Sequence, residues 1–223
     1  MALIWLYGSP YSGKTTFANT FPKPFFISLD KNAQFIVEDE DDYVNVNSVD
    51  EYSDALKKFM NDPKDYQTLV IDNIDLLEQF VREYYLDKLN IEDESDRDDY
   101  GKAWRLIREG TYQAVMKSSK FNGDIIWVSL QDEFITKSKL GADIVNYRPG
   151  INPKLHNRLS GLTTVVCRAY KDSKKVGKDV VNRYFISIGD TSNEISGTRL
   201  EIKETLIQNN YDEFINNFEK TLK

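Results

Sequence analysis

Four short apolar runs set the frame of the chain: 2–7 (ALIWLY), 25–29 (FFISL), 67–71 (QTLVI) and 125–130 (IIWVSL). Each is continuous rather than alternating, and each stops at a glycine or polar residue: Gly8, Asp30, Asp72 and Gln131. That is the pattern of strands buried on both faces. Helical periodicity fills the intervals. Residues 13–20 can start a helix that ends before Pro22. Residues 48–60 read as a helix, with Ser48 at the N-cap and Glu51 three positions on. Longer helical patterns cover 74–89 and 100–120, and 43–47 alternate as a short strand. Strands alternating with helices predict an α/β fold with a mainly parallel sheet flanked by helices.

The pattern changes after residue 130. Residues 131–160 read as irregular, with Gly141, Pro149, Gly150 and Pro153. Two β-rich runs, 162–170 and 180–188, flank the polar tract 171–179 and predict a C-terminal antiparallel β-hairpin. A short strand at 199–202 and a helix at 210–222 complete the expectation. The 223 residues fit one domain. It comprises a core (1–135), a basic loop (131–160), and a C-terminal hairpin and helix (161–223). Trp5, Trp104 and Trp127 are expected in the core, His156 at a surface, and Cys167 buried and inert.

Composition narrows the class. Hydrophobic residues make up 40% and charged residues 29%, which excludes wholesale disorder. No apolar run approaches the ~20 residues of a membrane span. One cysteine and one histidine exclude Cys/His zinc sites and an internal disulfide. With no secretory leader pattern, a cytoplasmic protein is expected. The net charge of −7 hides an asymmetry. Residues 134–178 hold ten basic and two acidic side chains, a net +8, against −15 for the rest. Such a stretch suits a polyanion. Acidic runs at 38–42 and 92–99 read as exposed loops.

Residues 8–15, GSPYSGKT, fit the phosphate-loop pattern G-x-x-x-x-G-K-[ST], and they lie between a predicted strand and a predicted helix. Glycines let successive N–H groups turn toward one anion, and the helix start faces the phosphates. Gly8, Ser9, Pro10, Tyr11, Ser12, Gly13, Lys14, Thr15 and Thr16 are the expected nucleotide contacts. Lys14 would reach the β- and γ-phosphates, and Thr15 would hold Mg²⁺ together with Asp72. Asp75 either shares that role or caps the following helix. For hydrolysis, Asp30 is a candidate general base and Gln131 a candidate γ-phosphate sensor. Both readings require their strands to flank the first one.

With these residues in place, the chain resembles the RecA-like P-loop ATPases. In particular it resembles a short phage-encoded group of AAA-family nucleotide-binding proteins that includes single-strand annealing recombinases. The resemblance rests on GSPYSGKTT (8–16), LVIDNID (69–75), DYGKAW (99–104) and IIWVSLQDE (125–133), with PKLHNRLSGLTTVVCRAY (153–170) similar in outline. It implies a RecA-like P-loop core, ATP with Mg²⁺, ring or filament assembly, and single-stranded DNA as partner. Residues 132–150 would be a DNA-facing loop. The basic candidates for DNA are Lys137, Lys139, Arg148, Lys154, Lys171, Lys174 and Lys175. Arg148, Arg158 and Arg168 are candidates for an arginine finger supplied to a neighbour. Two departures stand out: Gln131 replaces a histidine found in many relatives, and Asp30 stands where RecA-type enzymes place a glutamate. The function implied is Mg²⁺-dependent ATP binding and hydrolysis on single-stranded DNA in phage recombination, strand annealing or replication. The alternatives are a non-hydrolysing loader for a replication protein and, less favoured, a small-molecule kinase.

Overall fold

The computed structural model describes residues 2–95, 101–177, 179–189 and 193–218. Its centre is β1 (Leu3–Gly8), fully enclosed by two parallel neighbours, β5 (Asp124–Lys137) and β7 (Val165–Val176). β4 (Thr68–Asp72) pairs with β5, β2 (Pro24–Ser28) with β4, and β3 (Tyr43–Asn45) with β2, all in parallel. On the other side β8 (Asp179–Ser187) runs antiparallel to β7, and β10 (Leu206–Gln208) antiparallel to β8. β6 (Asp143–Pro149) pairs with β5, and the two-residue β9 (Gly197–Thr198) with β7. The strand order is β10-β8-β7-β1-β5-β4-β2-β3. The α/β class, the mainly parallel sheet and the C-terminal antiparallel hairpin are all as expected.

The pleat divides the core in two. Trp5, Tyr7, Ile71 and Trp127 face α2 (Val49–Asn61), α3 (Ile74–Leu89), α4 (Lys102–Ser118) and α5 (Pro153–Ser160). Ile4, Leu6, Val70 and Val128 face α1 (Lys14–Asn19) and α6 (Tyr211–Asn216), where Phe17, Phe21 and Phe214 stack edge to face. Ser48 caps α2 by accepting from the Glu51 N–H, and the Glu51 carboxylate accepts from the Asn47 N–H.

Several sequence expectations change. Segment 131–160 is regular: β5 runs seven residues past its predicted end and folds back through β6, and α5 follows. The polar tract 171–179 is mostly strand, because β7 continues to Val176 and β8 begins at Asp179. Both faces of that ribbon are solvated, so no apolar alternation marks it. No strand spans 199–202: Gly197–Thr198 pairs with β7, and Ile202 makes an isolated bridge to Phe218. Helix α6 ends at Asn216, and residues 219–222 of the expected helix lie outside the described residues. Trp104 is 42% exposed, whereas His156 is buried against Trp5 with ring centroids 5.4 Å apart. Glu94, in an acidic run read as an exposed loop, is buried and pairs with Arg82 at 2.6 Å. Residues 96–99 of that run lie outside the described residues. No described helix is long and apolar enough to cross a membrane.

Candidate active site

β1 stops at Gly8, level with Leu130 and Ala169, while β5 and β7 run on beside it. The chain leaves Gly8 between these two longer strands and curls onto the α1 face. Gly13 has φ 86, a left-handed conformation that favours glycine. The amides of Lys14, Thr15 and Thr16 open α1 and have no carbonyl one turn behind them. Beside the loop lies a cleft of about 490 Å³, lined by Pro10, Tyr11, Gly13, Lys14, Thr15, Thr16, Asp30, Asn32, Asp72, Asn73, Leu130 and Tyr184, among others. Of the predicted loop residues, Ser12 is fully buried and Tyr11 is 91% exposed. The Ser12 Oγ has no partner among the described residues.

Lys14 is buried at the cleft floor. Its Nζ donates to the Gly8 carbonyl at 3.0 Å and the Ser9 carbonyl at 2.9 Å. Burial holds its ammonium below the ordinary lysine range, against the pull of Asp72, Asp75 and Asp30. Asp72 is 1% exposed, at the carboxyl end of β4. Burial, and then the charge of Asp30, push its carboxyl up to about 7, although Thr15 and Lys14 favour the ionised form. Thr15 Oγ1 donates to Asp72 Oδ2 at 2.7 Å. β5 separates β4 from β1, so this contact ties the helix that follows β1 to a strand that is not β1's neighbour. A desolvated carboxylate touching the phosphate-loop hydroxyl is the donor set of a hard, oxygen-liganded cation. Thr15 and Asp72 therefore fit a divalent ion such as Mg²⁺.

Asn73, not Asp75, caps α3, its side chain accepting from the Leu76 N–H. Asp75 instead accepts from the Leu130 N–H at 3.0 Å, and burial raises its carboxyl to about 6. Asp30 lines the cleft, where Asn32 donates to it through both its backbone N–H and its side-chain amide. Its strand, β2, lies two strands from β5 and does not flank β1, so the expected adjacency is wrong, but Asp30 reaches the cleft from beyond β4 all the same.

Gln131 is not brought to the cleft. Strand alternation turns Leu130 toward the phosphate loop and Gln131 to the opposite face. There Gln131 Oε1 accepts from Arg168 Nε at 2.9 Å. Arg168 also pairs with the buried Glu194 at 3.2 Å and lies over the Tyr147 ring at 3.8 Å. Arg148 pairs with Asp132 at 2.7 Å and Arg158 with Glu109 at 2.6 Å, so all three finger candidates hold partners within this chain.

The basic candidates divide between two β-ribbons on the phosphate-loop end of the sheet. Lys137 and Arg148 lie on the β5–β6 ribbon and Lys139 in its turn; Lys171, Lys174 and Lys175 lie on the β7–β8 ribbon. All five lysines are exposed. Lys137 pairs with Asp143 at 2.5 Å and Lys174 with Asp172 at 3.7 Å. Lys154 is exposed in the first turn of α5. Sequence reasoning missed Tyr184 and Asn209, which touch the loop from the far end of the chain, and no local pattern marks either.

A family profile described as an AAA domain matches residues 2–200. Among solved structures, the chain is similar to a KaiC-like protein from the hyperthermophilic archaeon Pyrococcus horikoshii OT3. The match has a TM-score of 0.46 and 16% identity, and covers 93% of this chain and 88% of that one. No curated protein matches the chain.

Proposed function

This chain belongs to the AAA domain family, and on that premise we propose that it binds ATP with Mg²⁺ and hydrolyses it in a reaction stimulated by single-stranded DNA. The observation that carries the nucleotide part is the 2.7 Å contact of Thr15 with Asp72 beside Lys14. In the bound state Thr15 and Asp72 would hold the metal, and Lys14 would exchange its two carbonyl partners for phosphate oxygens. The metal they would hold would supply positive charge against the phosphates. Asp30, the one hydrolysis candidate in the cleft, would position or deprotonate water.

Two features support DNA as the partner. One is the +8 stretch, in which Lys137, Lys139, Lys171, Lys174 and Lys175 lie on the two ribbons at the phosphate-loop end of the sheet. The other is aromatic surface on the same ribbons: Tyr170 stacked with Phe185 at 5.6 Å, and Phe134 under Arg148 at 5.0 Å. The setting this suits is recombination, annealing or replication, with homo-oligomeric assembly as a ring or filament. Opposite charge toward the two sides of the sheet favours head-to-tail contact: the acidic tract 38–42 precedes the edge strand β3, and the lysine-rich β7–β8 ribbon lies next to the other edge strand, β10. A second reading, an ATP-dependent loader with little turnover, is favoured by the orientation of Gln131 away from the cleft.

The test is ATP hydrolysis with Mg²⁺, with and without single-stranded DNA, comparing the wild type with Lys14→Ala. The reading expects DNA stimulation that disappears in the variant. Tight ATP binding with no turnover on any DNA would favour the loader instead.

A further inference from the structure

The side of the phosphate loop away from Asp72 is built by the C-terminal part of the chain. Tyr184 of β8 and Asn209, just past β10, stand on the phosphate-loop face by the same alternation that buries Ile186 and Ile207 there. Asn209 Nδ2 donates to the Gly13 carbonyl at 3.1 Å, and the Asn209 N–H donates to the Tyr184 carbonyl at 3.2 Å. Both side chains occupy the space where residue 13 would carry a Cβ. Tyr184 lines the phosphate cleft and also an adjoining cavity of about 590 Å³, which Gln208 and Asn209 share. The Asn209 Oδ1 is buried with no hydrogen-bond partner among the described residues. A buried acceptor without a donor is unfavourable, and such an atom calls for a group that completes it.

Thr15 and Asp72, in contact on one side of the loop, would hold the metal-bearing end of a triphosphate there. On the other side stand a half-exposed phenol ring and an amide oxygen that lacks a donor. An aromatic ring offers a stacking face to a planar base. An amide oxygen accepts from the exocyclic amine of adenine, where guanine presents a carbonyl. We propose that Tyr184 and Asn209 form the nucleobase end of the site. Tyr184 stacks on the base, and Asn209 accepts from the adenine amine. The inference rests on the nucleotide-binding reading above and assigns its base selectivity.

The test measures binding of ATP, GTP and inorganic tripolyphosphate by titration calorimetry with Mg²⁺. The wild type is expected to bind ATP at least tenfold more tightly than GTP. Tyr184→Ala should lose about tenfold in ATP affinity with tripolyphosphate unchanged, and Tyr184→Phe should restore it. Asn209→Ala should narrow the ATP-to-GTP ratio several-fold. Unfolding midpoints close to that of the wild type would show the variants folded. Loss of ATP and tripolyphosphate affinity in equal measure would overturn the inference, since these side chains would then only shape the phosphate loop. So would ATP affinity unchanged in both variants, or a loss that falls instead on Phe35→Ala, whose ring also lines the cleft. Wild type that binds neither ATP nor tripolyphosphate would instead refute the nucleotide reading itself, and the base assignment with it.

Discussion

A Cβ on Gly8 would lie 2.2 Å from the carbonyl oxygen of Ala169. The end of β1 and the middle of β7 approach so closely that only glycine fits, and the phosphate loop departs from that point. Gly8→Ala should therefore destabilise the fold by about 3 kcal/mol, the upper range for overpacking a tight site. Urea unfolding measures this directly. A variant as stable as the wild type would show that β7 can shift away from the loop.

Asp72 makes stability depend on pH in a specific direction. In the metal-free protein its carboxyl titrates at about 7, against 3.8 ordinarily. Between those values the folded state holds a proton that the unfolded chain has lost, so stability falls as pH rises toward 7. Asp72→Asn should flatten most of that slope and stabilise the metal-free protein at pH 8 by on the order of 2–4 kcal/mol. A shallower slope should remain up to about pH 6 from Asp75. Mg²⁺ with ATP should raise the unfolding midpoint of the wild type and not of the variant. Denaturant titrations at pH 5 and pH 8 supply the comparison.

Arg168, partly buried, and the buried Glu194 form a pair that joins β7 to Gln131, to Tyr147 on β6 and to Ser187, whose hydroxyl donates to Glu194. Removing Arg168 leaves the Glu194 carboxylate desolvated and without a countercharge. Arg168→Ala should cost about 3–5 kcal/mol. Chemical unfolding is the check, and a cost under about 1 kcal/mol would show the pair to be solvated.

The ribbon lysines should appear in the salt dependence of single-stranded DNA binding. Replacing Lys171, Lys174 and Lys175 with alanine should reduce the slope of log K against log salt by about 2, at ~0.7 per phosphate contact. Fluorescence anisotropy from low to moderate salt measures it. An unchanged slope would move the DNA surface elsewhere.

What could be read from the sequence was local. The strand ends at Gly8 and Asp72, the phosphate loop and the Ser48 cap each lie within one short stretch whose chemistry is self-contained. Strand order was not, because nothing near residues 67–72 indicates that β5 lies between β4 and β1. Helix faces failed at their margins: Trp104 adjoins the buried stripe of Ala103 and Ile107 but points outward, while His156 sits between Leu155 and the Trp5 ring. Asn209 reaches Gly13 across 196 positions of sequence, a separation that no spacing rule covers. Gln131 shows how narrow the margin is: one step along the pleat moves a side chain from the phosphate face to the opposite one.

The enclosure of β1 also orders events during synthesis. This strand leaves the ribosome well before its partners, and its edges pair with residues far downstream. The Ala2 N–H donates to Asp124, 122 positions on, and the Leu3 N–H to Thr164, 161 positions on. Until β5 and β7 emerge, an apolar six-residue segment has no sheet to join, and the phosphate loop behind it has no platform. Long-range pairing of this kind slows folding and leaves such a segment exposed while the chain grows. The cleft beside the phosphate loop is thus among the last parts of the fold to take shape, although the loop itself is made long before the strands that seat it.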